Sequence, residues 1–412
     1  MHPISPTTPG EPTPRCSPPP GRRGRLARVT LLSWIAVLSL LAWAWLLLGQ
    51  GLFWRTDVRL PVRTPPARWP VVAVVVPARD EAGVLPDSLP SLLAQTYPGP
   101  AQVFLVDDGS TDGTAATARA LAARTGDGAL PLTVSSPGEP PPGWTGKLWA
   151  LRHGIEQAHR AGAEYLLLTD ADIAHRPESL RELVAAAEAG GYDLVSQMAR
   201  LRTATGWERL VVPAFVYFFA QLYPFRWVNR AGGRTAAAAG GCVLLKADAA
   251  RRAGIPEAVR GALIDDVSVA RAVKRAGGRI WLGLADRVDS VRPYPRLAEL
   301  WRMVSRSAYA QLRHSPPLLV AVVAGLALVY LVPPLALAAG LLGGAPAAAV
   351  AGTLAWAVMA GTYLPVLRYY GQPPWAAALL PFTAGLYLLM TVDSAVRHHR
   401  GKGAAWKGRT YA

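Results

Sequence analysis

The stretch AEYLLLTDADI, residues 163–173, decides how this chain is read. Its apolar run is too short for a helix and is bounded by polar residues, the pattern of a strand buried on both faces. The acids that follow, Asp170 and Asp172, leave the strand on alternate positions, so both carboxylates can project to one side and grip one hard cation. The same form occurs twice upstream. VVAVVVPARDE (71–81) runs into Asp80 and Glu81, and AQVFLVDDGSTDG (101–113) runs into Asp107 and Asp108. Helical patterns lie between and beyond, in EAGVLPDSLPSLLAQ (81–95), TAATARALAARTG (114–126), TGKLWALRHGIEQAHRAG (145–162) and PESLRELVAAAEAG (177–190), with short strands LTVSS (132–136) and DLVSQ (193–197). Strands alternating with helices predict an α/β domain over residues 70–310, a mostly parallel sheet with helices on both faces. Ligands of such sheets bind beyond the carboxyl ends of the strands, where these acids stand.

Outside that domain the composition changes. The 412 residues are 51% apolar and only 17% charged, against about 25% charged for a soluble globular chain. Four uncharged stretches, 29–54, 316–342, 345–367 and 375–392, are each about as long as a bilayer crossing. Pro333 and Pro334 should bend the second of them. Residues 1–28, rich in Pro and Arg, read as a disordered tail, and 393–412 as a basic tail.

The net charge of +16 does not make this a nucleic-acid protein. Residues 1–70 carry nine Arg against Glu11 and Asp57, and residues 311–412 carry seven Lys or Arg against Asp393. The middle domain holds 27 basic and 24 acidic residues, close to balance. Positive charge therefore flanks the apolar spans. With two cysteines, Cys16 and Cys242, no disulfide framework exists, and Cys242 reads as a small buried side chain. Histidines 153, 159 and 175 lack zinc-ligand spacing. There is no GxxxxGK[ST] and no GxGxxG after a strand, which removes P-loop and dinucleotide-binding chemistry.

Two further groups complete a candidate site. GALIDDVSVARAVKRAGGRIWL (261–282) opens a helix with Asp265 and Asp266. A carboxylate there could be only a cap, or it could remove a proton from an attacking hydroxyl. Lys147, Arg302 and Arg306 are candidate cations for a leaving diphosphate. The aromatic segment PAFVYFFAQLYPFRWV (213–228), within 207–230, is too short and broken for a span. It reads as an interfacial element at which a lipid could enter, with a plain buried helix as the rival.

The motifs PARDE, VDDGSTDG, TDADI and IDD resemble the four acidic stations of family 2 inverting glycosyltransferases of the GT-A fold. That resemblance implies a nucleotide-diphosphate sugar donor, with Asp80 and Asp108 on the base and ribose, and with Glu81, Asp107, Asp170, Lys147, Arg302 and Arg306 around the nucleotide. It implies a divalent cation, Mg or Mn, on Asp172 with Asp170, and Asp266 as base with Asp265 as its alternate. GWTGKLWAL (143–151), AAAGGCVLLK (237–246) and RPYPRLAELWRMVSRSAYAQLRHSP (292–316) are similar to hopanoid-biosynthesis-associated members. A membrane lipid acceptor, of the hopanoid or a related class, and a place among other lipid-synthesis enzymes are thereby implied. Polyprenyl phosphate or sphingoid acceptors, polysaccharide growth and an inactive membrane scaffold are the rivals. Where related membrane enzymes often carry QxxRW, this chain has WRMVSR, making Trp301, Arg302 and Arg306 loose equivalents. The resemblance implies a bacterial plasma-membrane enzyme whose catalytic domain is cytoplasmic. The basic C-terminal tail, by the positive-inside rule, argues for the opposite face.

Overall fold

The computed structural model describes residues 20–401, 405–406 and 409–410. In chain order the elements are α1 (Pro20–Leu48), β1 (Val72–Ala78), α2 (Leu85–Leu93), β2 (Ala101–Asp107), α3 (Thr114–Ala122), β3 (Leu132–Ser135), α4 (Gly146–Arg160), β4 (Tyr165–Leu168) and β5 (Ile173–His175). They continue with α5 (Ser179–Gly190), β6 (Leu194–Arg200), α6 (Gly206–Leu222), α7 (Phe225–Val228), β7 (Val243–Lys246), α8 (Ala247–Arg252), α9 (Asp265–Arg275) and β8 (Ile280–Ser290). Beyond the sheet come α10 (Leu297–Ser305), α11 (Ala308–Gln311), α12 (Pro316–Leu326), α13 (Val332–Gly343), α14 (Pro346–Tyr369) and α15 (Leu380–His399).

Every residue of β1 is buried, as its unbroken apolar run requires. Val72, Val74 and Val76 face a core with Leu85, Leu89, Leu180 and Leu183 from α2 and α5. Ala73 and Val75 face Leu148, Leu151 and Ile155 from α4. Each buried Val or Leu contributes about 1.5–3 kcal/mol against exposure. Strands β1 to β8 form one sheet in the order β3-β2-β1-β4-β7-β6-β8-β5, and residues 405–406 and 409–410 pair as a separate short ribbon. Most pairs are parallel, but β7 runs antiparallel between β4 and β6, and β5 antiparallel to β8. The sheet is therefore mixed. Both reversed strands matter, because each starts from the edge where the parallel strands end, so the loop before it meets the acids there.

Among the described residues, four helical stretches are long and apolar enough to cross a membrane: Arg28–Leu48, Pro316–Gly343, Pro346–Tyr369 and Pro374–His399. The first helix starts at Pro20, inside the segment read as a disordered tail, and ends at Leu48, before the expected 54. The turn at Gly51, with φ of +60°, accounts for the early end. Residues 1–19 lie outside the described residues. Between α12 and α13 the backbone forms a π turn, Ala327–Leu331, placing Pro333 in the first turn of the next helix, where its missing N–H is harmless. The loosened carbonyls are not left bare. Ser39 Oγ donates to Leu328 O and Trp43 Nε1 to Val329 O, both at 2.7 Å, satisfying backbone groups that lipid could not.

Helix α6 differs from the sequence reading. Tyr217 is wholly buried, with its hydroxyl 2.7 Å from Thr362 Oγ1 of α14, and Tyr387 of α15 donates to Val211 O at 3.0 Å. Tyr217, Tyr223 and Phe225 join the α4 face of the sheet to the candidate spans in one continuous core, while Trp207 at the start of α6 stays exposed. Helix–helix packing outcompetes exposure because α6 has apolar side chains on most of its circumference.

Candidate active site

The carboxyl ends of β1, β2 and β4 bring three of the acidic groups to one edge of the sheet. Asp80 sits in the left-handed region, with φ of +50°. It accepts the Thr111 N–H at 2.8 Å, and its own N–H donates to Ser110 Oγ at 2.9 Å, tying the first strand's loop to DGSTDG. Asp107 caps that turn by accepting from the Ser110 N–H at 2.9 Å. Asp108 is fully buried; Arg79 donates to its carbonyl and lies 3.7 Å from its carboxylate. Asp80 and Asp107 thus shape the loop, while Asp108 does not reach the surface in this conformation.

The strongest constellation centres on Lys147. Thr145 caps α4, accepting the Leu148 N–H at 3.3 Å, which sets Lys147 in the first turn. Its Nζ lies 2.8 Å from Asp170 and 3.0 Å from Asp265. Burial would lower the ammonium, but the two carboxylates outweigh it and hold the group above its ordinary range. Asp266, beside them in the first turn of α9, accepts the Gly240 N–H at 2.8 Å and the Val267 N–H at 2.7 Å. Burial first, and the charge of Asp265 second, push its carboxyl well above the usual carboxylate range. A small cavity of about 30 Å³ lies among Lys147, Asp170, Gly240, Asp265 and Asp266 over an apolar floor that includes Leu168 and Val269.

The second constellation was not foreseen. Arg292, two residues beyond β8, donates Nε–H to Asp172 Oδ2 at 2.8 Å and Nη2–H to both oxygens of Glu81 at 2.7 and 2.8 Å. The antiparallel pairing of β5 with β8 puts it there, and the Val291 N–H fixes the approach by donating to Asp172 O at 2.9 Å. Glu208, buried in the capping box of α6, pins the next loop by accepting the Tyr294 N–H at 2.7 Å.

A family model for glycosyltransferase like family 2 matches residues 69–310. The chain belongs to that family. Over 145 residues it is 32% identical to the undecaprenyl-phosphate 4-deoxy-4-formamido-L-arabinose transferase of Pseudomonas aeruginosa, a match covering 34% of this chain and 38% of the relative. The chain thus spans well under half the length of the curated relatives it matches. Among solved structures it resembles the mannosyltransferase PcManGT from Pyrobaculum calidifontis, solved with GDP-Man and Mn2+. That likeness has a TM-score of 0.51 and 23% identity over 90% of this chain and 99% of the other, and it supports the fold. A lower likeness, TM-score 0.39, is to TarS of S. aureus, with 18% identity over 58% of this chain and 39% of the other.

In this member of the family the structure gathers Lys147, Asp170, Asp265 and Asp266 in one cluster and Glu81 and Asp172 around Arg292 in another. Arg302 and Arg306 are exposed on or just after α10, and among the described residues neither pairs with a site carboxylate. Trp301 turns away from the site, donating Nε1–H to Asp393 of α15 at 2.8 Å. Arg292 and Gly240 were missed because nothing local marks them. A hint lay in RPYP directly after a strand, an arginine held by rigid neighbours.

Proposed function

We propose that this family 2 glycosyltransferase moves a sugar from a nucleotide diphosphate to a lipid hydroxyl with inversion, at a membrane, in hopanoid or related lipid synthesis. The arrangement of Asp266 carries the reading. It is a carboxylate with a raised pKa at a helix N-terminus, oriented by two backbone N–H groups and set beside Lys147, Asp170 and Asp265. A general base needs that combination of fixed aim and basicity. Asp266 takes the proton of the acceptor hydroxyl as its oxygen attacks the anomeric carbon, and the sugar–phosphate bond breaks on the opposite side. Lys147, already between two carboxylates, is placed to meet the charge gathering on the departing diphosphate.

The donor set of Asp170 and Asp172 suits Mg2+ or Mn2+, which commonly take one or two carboxylates and draw remaining ligands from phosphates and water. Among the described residues no three His, Cys, Asp or Glu side chains stand close enough to hold a metal by themselves. Asp172, assisted by Asp170, would hold the cation, which would supply charge neutralisation at the diphosphate. Asp80, Glu81 and Asp107 would serve the nucleotide side, with the buried Asp108 holding the loop behind them.

A second reading, with a polyprenyl phosphate as acceptor, is favoured by the partial likeness to a transferase named for undecaprenyl phosphate. The deciding measurement is mass spectrometry of total lipids from cells with the gene, without it, and with Asp266→Asn. A glycosylated neutral lipid that disappears in the last two supports the first reading. A glycosylated polyprenyl phosphate that disappears supports the second, and no change in any lipid sinks both. Donor supply places the catalytic domain in the cytoplasm of a bacterium, and protease accessibility in sealed vesicles tests that orientation.

A further inference from the structure

Arg292 is the cation that joins stations the sequence keeps far apart. Glu81 follows the first strand, Asp172 lies between β4 and β5, and Arg292 follows the last strand. One guanidinium spans the two carboxylates at 2.7–2.8 Å, using Nε for Asp172 and Nη2 for Glu81. Glu81 is buried, and the side chains of Asp172 and Arg292 are 13% and 24% exposed. Charge-assisted contacts in such surroundings are strong and directional. Asp172 is also the carboxylate to which a divalent cation is assigned above, so arginine and metal compete for the same carboxylate. Lys147 stands in the same relation to Asp170, at 2.8 Å. Lys147 also holds Asp265, however, whereas the second anchor of Arg292 is Glu81, away from the proposed base.

Resting on the metal-dependent reading, we propose that Arg292 is a positioning residue that acts as an exchangeable counter-ion. It holds Asp172 aligned and charge-balanced until metal and diphosphate arrive together, then keeps its grip on Glu81 and turns its freed N–H to the diphosphate. No covalent bond changes in this exchange. Metal alone must displace the guanidinium without giving it a new anionic partner, whereas metal with a nucleoside diphosphate supplies one. The exchange therefore couples the two ligands, and coupling of this kind commonly amounts to about 5- to 150-fold in affinity.

The test uses the full-length protein in detergent, with Mn2+ binding followed by the electron paramagnetic resonance of free Mn2+, alone and with saturating GDP or UDP. Wild type should bind Mn2+ at least tenfold more tightly with one of the two nucleotides than without. Arg292→Gln should bind Mn2+ alone as tightly as wild type or more tightly, and should lose most of the enhancement by nucleotide. Arg292→Lys, which keeps the charge but not the two-nitrogen grip, should fall between them. If Arg292→Gln instead weakens both measurements in parallel, or if Arg292→Lys does so when the Gln variant is unfolded, the residue is structural and the proposal is overturned. Asp172→Asn separates this from the wider reading. Loss of Mn2+ binding there leaves the metal station standing whatever Arg292 does, and unchanged binding removes station and proposal together.

Discussion

The backbone N–H of Gly240 donates to Asp266 Oδ2 at 2.8 Å, so the loop entering the reversed strand β7 aims the carboxylate that opens α9. The contact exists because β7 runs antiparallel beside β4, with Val243 opposite Leu168. The loop before β7 consequently meets the acids that follow β4. A methyl at position 240 would stand 3.5 Å from Asp266 Oδ2 and 3.8 Å from Asp170 Oδ2, in ordinary contact with both.

Asp265 and Asp266 should behave differently on substitution. Asp266→Asn should lower kcat by about 10²–10⁴, the usual share of a positioned general base. Asp265→Asn removes a partner of Lys147 and should cost less, because Lys147 keeps Asp170. Steady-state rates of glycosyl transfer to a lipid acceptor check this, and the reverse order would assign the base to Asp265.

The pH profile follows from the same pair. The base works only when ionised, and burial together with Asp265 raises the Asp266 pKa. Activity should therefore be lost, as pH falls, well above pH 4. In Asp265→Asn the neighbouring negative charge is gone, and the acid limb of kcat/KM should move to lower pH. A limb that stays in place or moves up contradicts the assignment.

His175 supplies a stability signal from behind the site, where it bonds Thr169 rather than a site carboxylate. Burial holds its imidazole down to about 4, from an ordinary 6.5, between Thr169 Oγ1 at 3.1 Å and Ser179 Oγ at 3.2 Å. The unfolded chain takes up this proton below about 6.5 and the folded chain only near 4, so the contribution is full above pH 6.5 and is lost as pH falls toward 4. It amounts to roughly 3 kcal/mol. Melting temperatures between pH 7 and 4.5 should fall more steeply for wild type than for His175→Gln. Parallel curves would remove the histidine from the acid sensitivity.

Gly154 marks a close approach of α4 to the sheet. A Cβ there would lie 2.4 Å from Val75 Cγ1 and 3.1 Å from Val106 Cγ2, a clash with core side chains that have no room to withdraw. Gly154→Ala should therefore destabilise the domain by about 1–3 kcal/mol despite the better helix propensity of alanine. A thermal shift assay should show a drop of several degrees, and an unchanged Tm would mean that α4 stands off the sheet.

Much of this was legible in the chain. An apolar run of four to seven residues ending in acids has few other places to go than a buried strand whose end meets solvent, and β1, β2 and β4 lie where those runs are. The candidate spans are equally local, since about twenty uncharged residues need only length and composition to be recognised. Helix α6 was less legible. Its aromatic residues suit an interface or a core equally well, and only the packing of α14 and α15 against it chose the core.

By itself the sequence determined which elements form and which carboxylates end them, because strand burial, helix caps and span length depend on neighbours along the chain. Tertiary structure alone decided who meets whom. The reversal of β7 brought Gly240 to Asp266, and the return of β8 beside β5 brought Arg292 to Asp172 and Glu81. Arg292 lies 120 residues from Asp172 and 211 from Glu81, and at such separations a charge has no local pattern to announce its partner. Strand order sets the match, and strand order is a property of the whole sheet.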